Sequence, residues 1–376
     1  MNQTPPPPNS VLLNPGPVNV HPEVREALAY PDACHREPEV AALIDATRAK
    51  VSAVCGGGED HTAVLLTGSG TAALESAFAS IVPPGGRILI LDNGHYGERL
   101  HEIVSVHGVA STRLEFGWGN RFDLGAIDRA LIADPAITHL GMVHHETSTG
   151  MLNPLRAVGE LADRHDRSLA VDAISSLGSE ELDVVADRIE WCVGTANKCL
   201  EGLPGISFVA APRASLRALG ERSPRGYYLD LHRHFRAQDE EGAPAFTPAV
   251  QVLYAFDRAL DLTIAETVRR RGGRYAAAAD QLRRGLARLG FRPLLDGEMA
   301  NSVTVSHLPA GIEYGELHDA LKRRGFVIYA TQKQLGPTVR IANMGQLGEA
   351  EMSGFLSALE DVVGELRGVT PTAAPA

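Results

Sequence analysis

The chain has 376 residues, 44% hydrophobic and 22% charged, a composition that suits a globular protein of roughly two domains with a large core. Its formal charge of −11, from 35 basic and 46 acidic residues, excludes a general nucleic-acid or anionic-membrane surface but leaves room for local cationic sites. Cys34, Cys55, Cys192 and Cys199 have neither metal-site spacing nor the density of a secreted disulfide framework. The polar start with its four consecutive prolines lacks the basic and apolar segments of a secretion signal, and no apolar run reaches about 18 residues. A cytoplasmic protein is expected.

Residues 1–10 read as a disordered, proline-stiffened tail. Val11-Leu12-Leu13 is an apolar entry broken by a turn at Asn14-Pro15-Gly16-Pro17. Helices are expected from His21-Pro22-Glu23 to about Tyr30, and again across 38–55, where Val40, Leu43, Ile44, Val51 and Val54 have helical spacing. The run from Ala63 to Thr67 is a strand. It enters a small-residue turn, Gly68-Ser69-Gly70-Thr71, and a helix whose apolar face is Leu74, Ala77, Phe78 and Ile81. Such a turn either aims N–H groups and the positive helix end at an anion, with Ser69 and Thr71 as further donors, or is a plain glycine turn. It is not a P-loop, because no Gly-Lys-Ser/Thr follows. The strand at Arg87 to Asp92 leads to Tyr96, an aromatic placed either to stack on a planar ligand or simply to pack.

Strands near 64, 88, 140, 170, 192 and 206 alternate mostly with helical stretches, the pattern of a parallel α/β sheet covered on both faces. His144 and His145 point to opposite sides of a strand, so they do not make a paired metal site. From Glu266 the texture becomes Arg- and Ala-rich helix, then strands at 302–306, 327–329 and 339–341, a helix near 314–324 and a closing helix at 349–367. The expected organisation is a large domain over 11–265, including the N-terminal segment, a smaller α+β domain over 266–367, and a tail over 368–376. There is no internal repeat.

The chemistry concentrates after the strand near 191–194, where one lysine, Lys198, follows small residues and precedes Gly202-Leu203-Pro204-Gly205. A lysine here is ordinarily a surface-turn residue. If buried, its lowered pKa makes it a nucleophilic amine, and the cofactor that most often requires one is pyridoxal phosphate, held as a Schiff base. Asp172 ends the preceding strand pattern, Ser168 to Asp172. It reads either as a cap of the next turn or as the partner of a pyridinium nitrogen at the ligand crevice of an open sheet. Asp and Lys on successive strand ends favour the cofactor.

Taken in order, Asn14-Pro15-Gly16-Pro17, His35-Arg36-Glu37-Pro38-Glu39, Thr67-Gly68-Ser69-Gly70-Thr71, Asn93-Gly94-His95-Tyr96-Gly97, Glu146-Thr147-Ser148-Thr149-Gly150, Val171-Asp172-Ala173 and Asn197-Lys198 resemble the class V, alanine–glyoxylate type, branch of the fold-type I pyridoxal-phosphate aminotransferases. The resemblance runs from about Leu12 to Arg367. It implies a mostly parallel, seven-stranded-type sheet with a smaller C-terminal domain, and an obligate homodimer with shared active sites. By resemblance, Lys198 carries the cofactor and shuttles the proton, and Asp172 pairs with the ring nitrogen. Tyr96 and Ile174 flank the ring, Ser69, Gly70 and Thr71 hold the phosphate, Thr147 lies near the ring hydroxyl, and Asn197 sits beside the lysine. Thr247 reaches the neighbouring subunit's phosphate site. Arg340, in Thr338-Val339-Arg340-Ile341, would clamp the substrate's acidic group, a task that suits a guanidinium fork; otherwise it is a surface arginine.

Within that branch, Ala196 to Gly205, Tyr228-Leu229-Asp230-Leu231 and Phe246-Thr247-Pro248-Ala249 look most like the 2-aminoethylphosphonate–pyruvate transaminases. The chain departs from that pattern at Ala330-Thr331-Gln332-Lys333, where Pro-Gly-Lys is usual after the tyrosine, and at Ala342-Asn343, where glycine is usual. Both flank the expected clamp, so an alanine- or serine–glyoxylate aminotransferase or a lyase on a related amino substrate stays open. A desulfurase is disfavoured because no cysteine follows Cys199. Intact Lys198 and Asp172 argue against a catalytically dead scaffold.

Overall fold

The computed structural model describes residues 9–368. The tails expected at 1–10 and 368–376 lie outside it, apart from three residues, and Ser10 is held: its carbonyl accepts from Asn19 Nδ2 at 3.1 Å. Two sheets organise the chain. The first contains β2 (His61–Thr67), β3 (Arg87–Asp92), β4 (Ser111–Glu115), β5 (Ile137–Val143), β6 (Ser168–Asp172), β7 (Trp191–Thr195) and β8 (Ile206–Pro212). Their order is β2-β8-β7-β6-β5-β3-β4, parallel except for β8, which runs antiparallel to both neighbours. The second has the order β1-β11-β12-β10-β9, built from β1 (Val11–Leu13), β9 (Arg292–Pro293), β10 (Val303–His307), β11 (Phe326–Ala330) and β12 (Thr338–Ala342).

Continuous apolar runs make the first sheet because both of its faces are covered. In β3, Ile88 and Ile90 enter one core cluster and Leu89 and Leu91 the other. The helices that cover these faces include α1 (Pro38–Val54), α2 (Gly70–Ser80), α3 (His95–Val106), α4 (Leu124–Ala133) and α5 (Leu155–Arg164). Their apolar residues recur at helical spacing, as Leu100, Ile103 and Val104 do on α3. After α6 (Leu231–Asp239), the long helices α7 (Val250–Glu266) and α8 (Val268–Arg288) lead to the second sheet, which α9 (Tyr314–Arg323) and α10 (Glu349–Leu366) cover.

Two features depart from the sequence reading. β4 supplies a seventh strand where none is legible, because its residues are half-buried or exposed at the sheet edge and form no apolar run. β1 pairs in parallel with β11, Val11 opposite Phe326 and Leu13 opposite Ile328, so the N-terminal segment joins the second sheet rather than the first. Leu13 is fully buried in that second core, and three residues with one inward side chain do not announce their partner sheet. Among the described residues, no helix is long and apolar enough to cross a membrane.

Candidate active site

The carboxyl ends of β2, β3, β5, β6 and β7 open on one cavity, lined by Ser69, Gly70, Thr71, Tyr96, Asp172, Ile174, Asn197 and Lys198 among others. Parallel strands deliver their ends, and the helices that follow them, to the same edge of the sheet, which is where such folds bind ligands.

Lys198 follows β7, is half-buried and lines this cavity. Burial pushes its amine pKa down and the charge of Arg340 pushes the same way, against the opposing pull of Tyr96 and Asp172. Its Nζ donates to the Pro15 carbonyl. The turn at Asn14 to Pro17 can press on the lysine because Gly16 has φ +87° and no side chain; a Cβ there would stand 2.7 Å from Lys198 Cδ.

Asp172, the last residue of β6, is 4% exposed, and Oδ1 accepts from Ile174 N at 2.9 Å. Burial raises its pKa to about 6, although the Ile174 amide, Arg99 and Lys198 favour the anion. Its second oxygen has no protein donor among the described residues, so the cavity side of the carboxylate stays open to a ligand N–H. Opposite it, α2 begins without a side-chain cap: Ser69 is the cap residue and makes no capping bond. The orphan amides of this first turn, with the Ser69 and Thr71 hydroxyls, form a cradle for an anion. Gly70 lets the cradle close against the floor, since a Cβ would stand 2.6 Å from Ile174 Cδ1.

Tyr96 walls the cavity from the first turn of α3, with the Arg99 guanidinium carbon 4.6 Å from its ring centroid. Burial pushes the phenol pKa up, but Lys198, Arg340, Thr147 and Arg99 outweigh it and lower the pKa. Arg340 comes from β12 in the second sheet. It is 7% exposed, donates from Nη1 to the Thr147 carbonyl at 3.2 Å, and keeps an Nε with no protein partner. Thr147 is likewise buried with an unpartnered hydroxyl. Eight of the eleven residues singled out in the sequence therefore line this cavity, and Arg340 and Thr147, bonded to each other, stand beside it close enough to act on Tyr96. Thr247 does neither: it is exposed in the turn before α7 and outside this cavity.

The cavity also holds residues the sequence reading missed. Arg99 lies one turn beyond Tyr96 on the same helix face, a spacing that could have flagged it. Among the described residues it has no carboxylate partner; its Nη2 meets only His95 Nε2, at 3.2 Å. His145 lies two positions beyond Val143, on the same side of the chain, and both line the cavity. Its Nδ1 faces the Ser175 carbonyl at 3.1 Å, so Nδ1 carries the proton, and burial lowers the ring pKa to about 3. Cys199 is packed rather than reactive, its thiol pushed up to about 11 by burial. Among the described residues, no group of three His, Cys, Asp or Glu side chains could hold a metal ion.

A half-buried lysine of lowered pKa, an open carboxylate, an aromatic wall and an anion cradle fit a planar, phosphorylated, nitrogen-containing ring. Lys198 and Arg99 against Asp172 leave a cationic excess for anionic groups.

This architecture and site are those of an aminotransferase. The family model for class-V aminotransferases matches residues 25–359, and the chain belongs to that family. A 2-aminoethylphosphonate–pyruvate transaminase from Klebsiella pneumoniae subsp. pneumoniae is 37% identical over 361 residues, covering 94% of this chain and 98% of the relative. Among solved structures, an aspartate aminotransferase from Thermus thermophilus is 30% identical with a TM-score of 0.86, covering 94% of this chain and 99% of that one. Ureidoglycine–glyoxylate aminotransferase from Bacillus subtilis is 27% identical with a TM-score of 0.92, covering 97% and 95%. The fold-type I architecture implied by the sequence motifs is the one present.

Proposed function

We propose that the protein moves the amino group of 2-aminoethylphosphonate to pyruvate, giving phosphonoacetaldehyde and alanine in alternating half-reactions, with pyridoxal 5′-phosphate as cofactor. The observation that carries the chemistry is the meeting of Lys198, Asp172 and the Ser69–Thr71 cradle on one cavity. The likeness to the Klebsiella enzyme supports the substrate. When bound, the cofactor supplies an aldehyde carbon that carries the amino group and a ring that withdraws electrons.

Around it, Ser69, Gly70 and Thr71 bind the phosphate, and the open oxygen of Asp172 accepts the ring N–H and keeps that nitrogen protonated. Tyr96 and Ile174 hold the ring between them, Thr147 lies by the ring hydroxyl and Asn197 beside the lysine. Lys198, whose amine is kept basic but readily neutral by its burial, takes the proton from the amino-bearing carbon of the donor and returns it to the cofactor's aldehyde carbon. Arg340 binds the phosphonate, and its unpartnered Nε is one of the donors available for this. A homodimer completes the site, with Thr247 at the phosphate of the neighbouring subunit. A large domain ending at 265, a small one over 266–367 that β1 (Val11–Leu13) joins, and a cytoplasmic location belong to the same reading.

A second reading, with alanine or serine as donor and glyoxylate as acceptor, is supported by the departures at Ala330 to Gln332 and at Ala342-Asn343 beside Arg340. Single-turnover absorbance of the holoenzyme separates the two. Bleaching by 2-aminoethylphosphonate that pyruvate reverses is expected; bleaching by alanine or serine alone would replace the phosphonate reading with the second.

A further inference from the structure

Glu146 has no place in the chemistry proposed above, yet it is fully buried behind the aromatic wall. It follows β5 and stands against the start of α3. That helix opens on Gly94, whose missing side chain offers no cap, so its first amides need acceptors from elsewhere. Glu146 Oε2 accepts from Tyr96 N at 2.9 Å and Gly97 N at 3.2 Å, while Ser148 Oγ accepts from His95 N at 3.2 Å. Ser148 in turn donates to Glu146 Oε1 from its amide, at 3.1 Å, and from its hydroxyl. Gly94 permits this approach, because a Cβ there would stand 2.5 Å from Glu146 Cγ.

Every donor is a neutral N–H or O–H group, and only a carboxylate can accept from all of them with two oxygens. The positive end of α3 favours the anion, while burial raises the carboxyl pKa to about 7. Thr147, held between Glu146 and Ser148, gives its carbonyl to Arg340 Nη1. One turn therefore grips the backbone of Tyr96 on one side and the guanidinium of Arg340 on the other.

We infer that Glu146 is a positioning residue that caps α3 from another element and sets Tyr96 and Arg340 in register, so that cofactor and donor binding both depend on it. The inference rests on the proposed function, in which Tyr96 stacks on the cofactor and Arg340 binds the donor. The test uses Glu146→Gln, which keeps size and shape, together with Ser148→Ala as a milder second variant. In E146Q, hydrogen exchange at Tyr96 and Gly97 accelerates by about tenfold or more in the protein stripped of cofactor, while exchange in the remaining elements stays at the wild-type rate. Its Kd for pyridoxal phosphate and its donor KM rise by about tenfold, more than kcat falls, and S148A moves the same quantities less. A uniform rise in exchange across the fold, or wild-type Kd and KM in E146Q, would overturn the inference. Were the wild-type protein itself to bind no pyridoxal phosphate, the proposed function would fall and this inference with it, so the two failures are distinguishable.

Discussion

The two sheets contribute to the site by different routes. The first brings Ser69–Thr71, Tyr96, Asp172 and Lys198 together by topology alone, because each follows or ends a strand whose carboxyl end opens on the cavity. The second sends a single side chain, Arg340, whose place depends on how the sheets dock. That docking is itself specified by buried polar contacts. Glu201, three positions after Lys198, binds Arg274 Nη2 at 2.8 Å, Tyr275 Oη at 2.6 Å and Gln346 Nε2, and Asn343 Nδ2 returns to the Tyr275 carbonyl at 3.0 Å. The lysine loop and the second sheet are thus tied through α8. On the proposed function, the chemistry belongs to the first region and donor recognition to the docked one. The departures around residues 330–332 and 342–343 lie on the docked side.

The largest effect should come from the first region. Lys198→Ala should lower turnover with every donor by about 10²–10⁴-fold from the lost proton transfer, with the unfolding midpoint preserved, as stopped-flow and urea titration would read. Equal loss for all donors is the mark of chemistry; a donor-selective loss would erase the distinction drawn between the sheets. Arg340→Ala should cost about 2–5 kcal/mol in kcat/KM for 2-aminoethylphosphonate while leaving the affinity for pyridoxal phosphate unchanged. An unchanged kcat/KM would move recognition elsewhere, with the uncompensated Arg99 the next residue to replace.

The smallest effect concerns the buried ring beneath the site. The folded pKa of His145, about 3, lies below its unfolded value of 6.5, so its neutral burial stabilises the fold above 6.5 and that contribution is lost as pH falls towards 3. Wild-type protein should therefore lose about 2 kcal/mol relative to His145→Gln between pH 7.5 and pH 5, measured by urea unfolding of both proteins. A pH-independent difference would mean a solvated histidine there that titrates as it does in the unfolded chain.

Much of the first region is legible in sequence because its strands are buried on both faces and its site residues follow them at short, motif-like distances. Lys198, Asp172 and the Ser69–Thr71 turn are of this kind. The half-exposed edge strand β4 leaves no such trace, and the antiparallel direction of β8 is invisible in composition. Arg340 is legible only as an arginine in a strand pattern; its contact with Thr147, 193 positions away, is a product of docking. Glu146 looked like one letter of a family motif, and its capping of α3 emerges only when both elements are in place. Thr247 lies outside the cavity of its own chain, and the role proposed for it is at a neighbouring subunit's site.

On the proposed function, Lys198 carries the cofactor. The chain has only four lysines, Lys50, Lys198, Lys322 and Lys333, and Lys50 is paired with Asp257 and Asp261 at 2.7 Å each. Borohydride reduction of the holoenzyme followed by peptide mass spectrometry would therefore give an unambiguous address. A phosphopyridoxyl group is expected on the Lys198 peptide and on no other. The same group on Lys50, Lys322 or Lys333, with Lys198 unmodified, would contradict it.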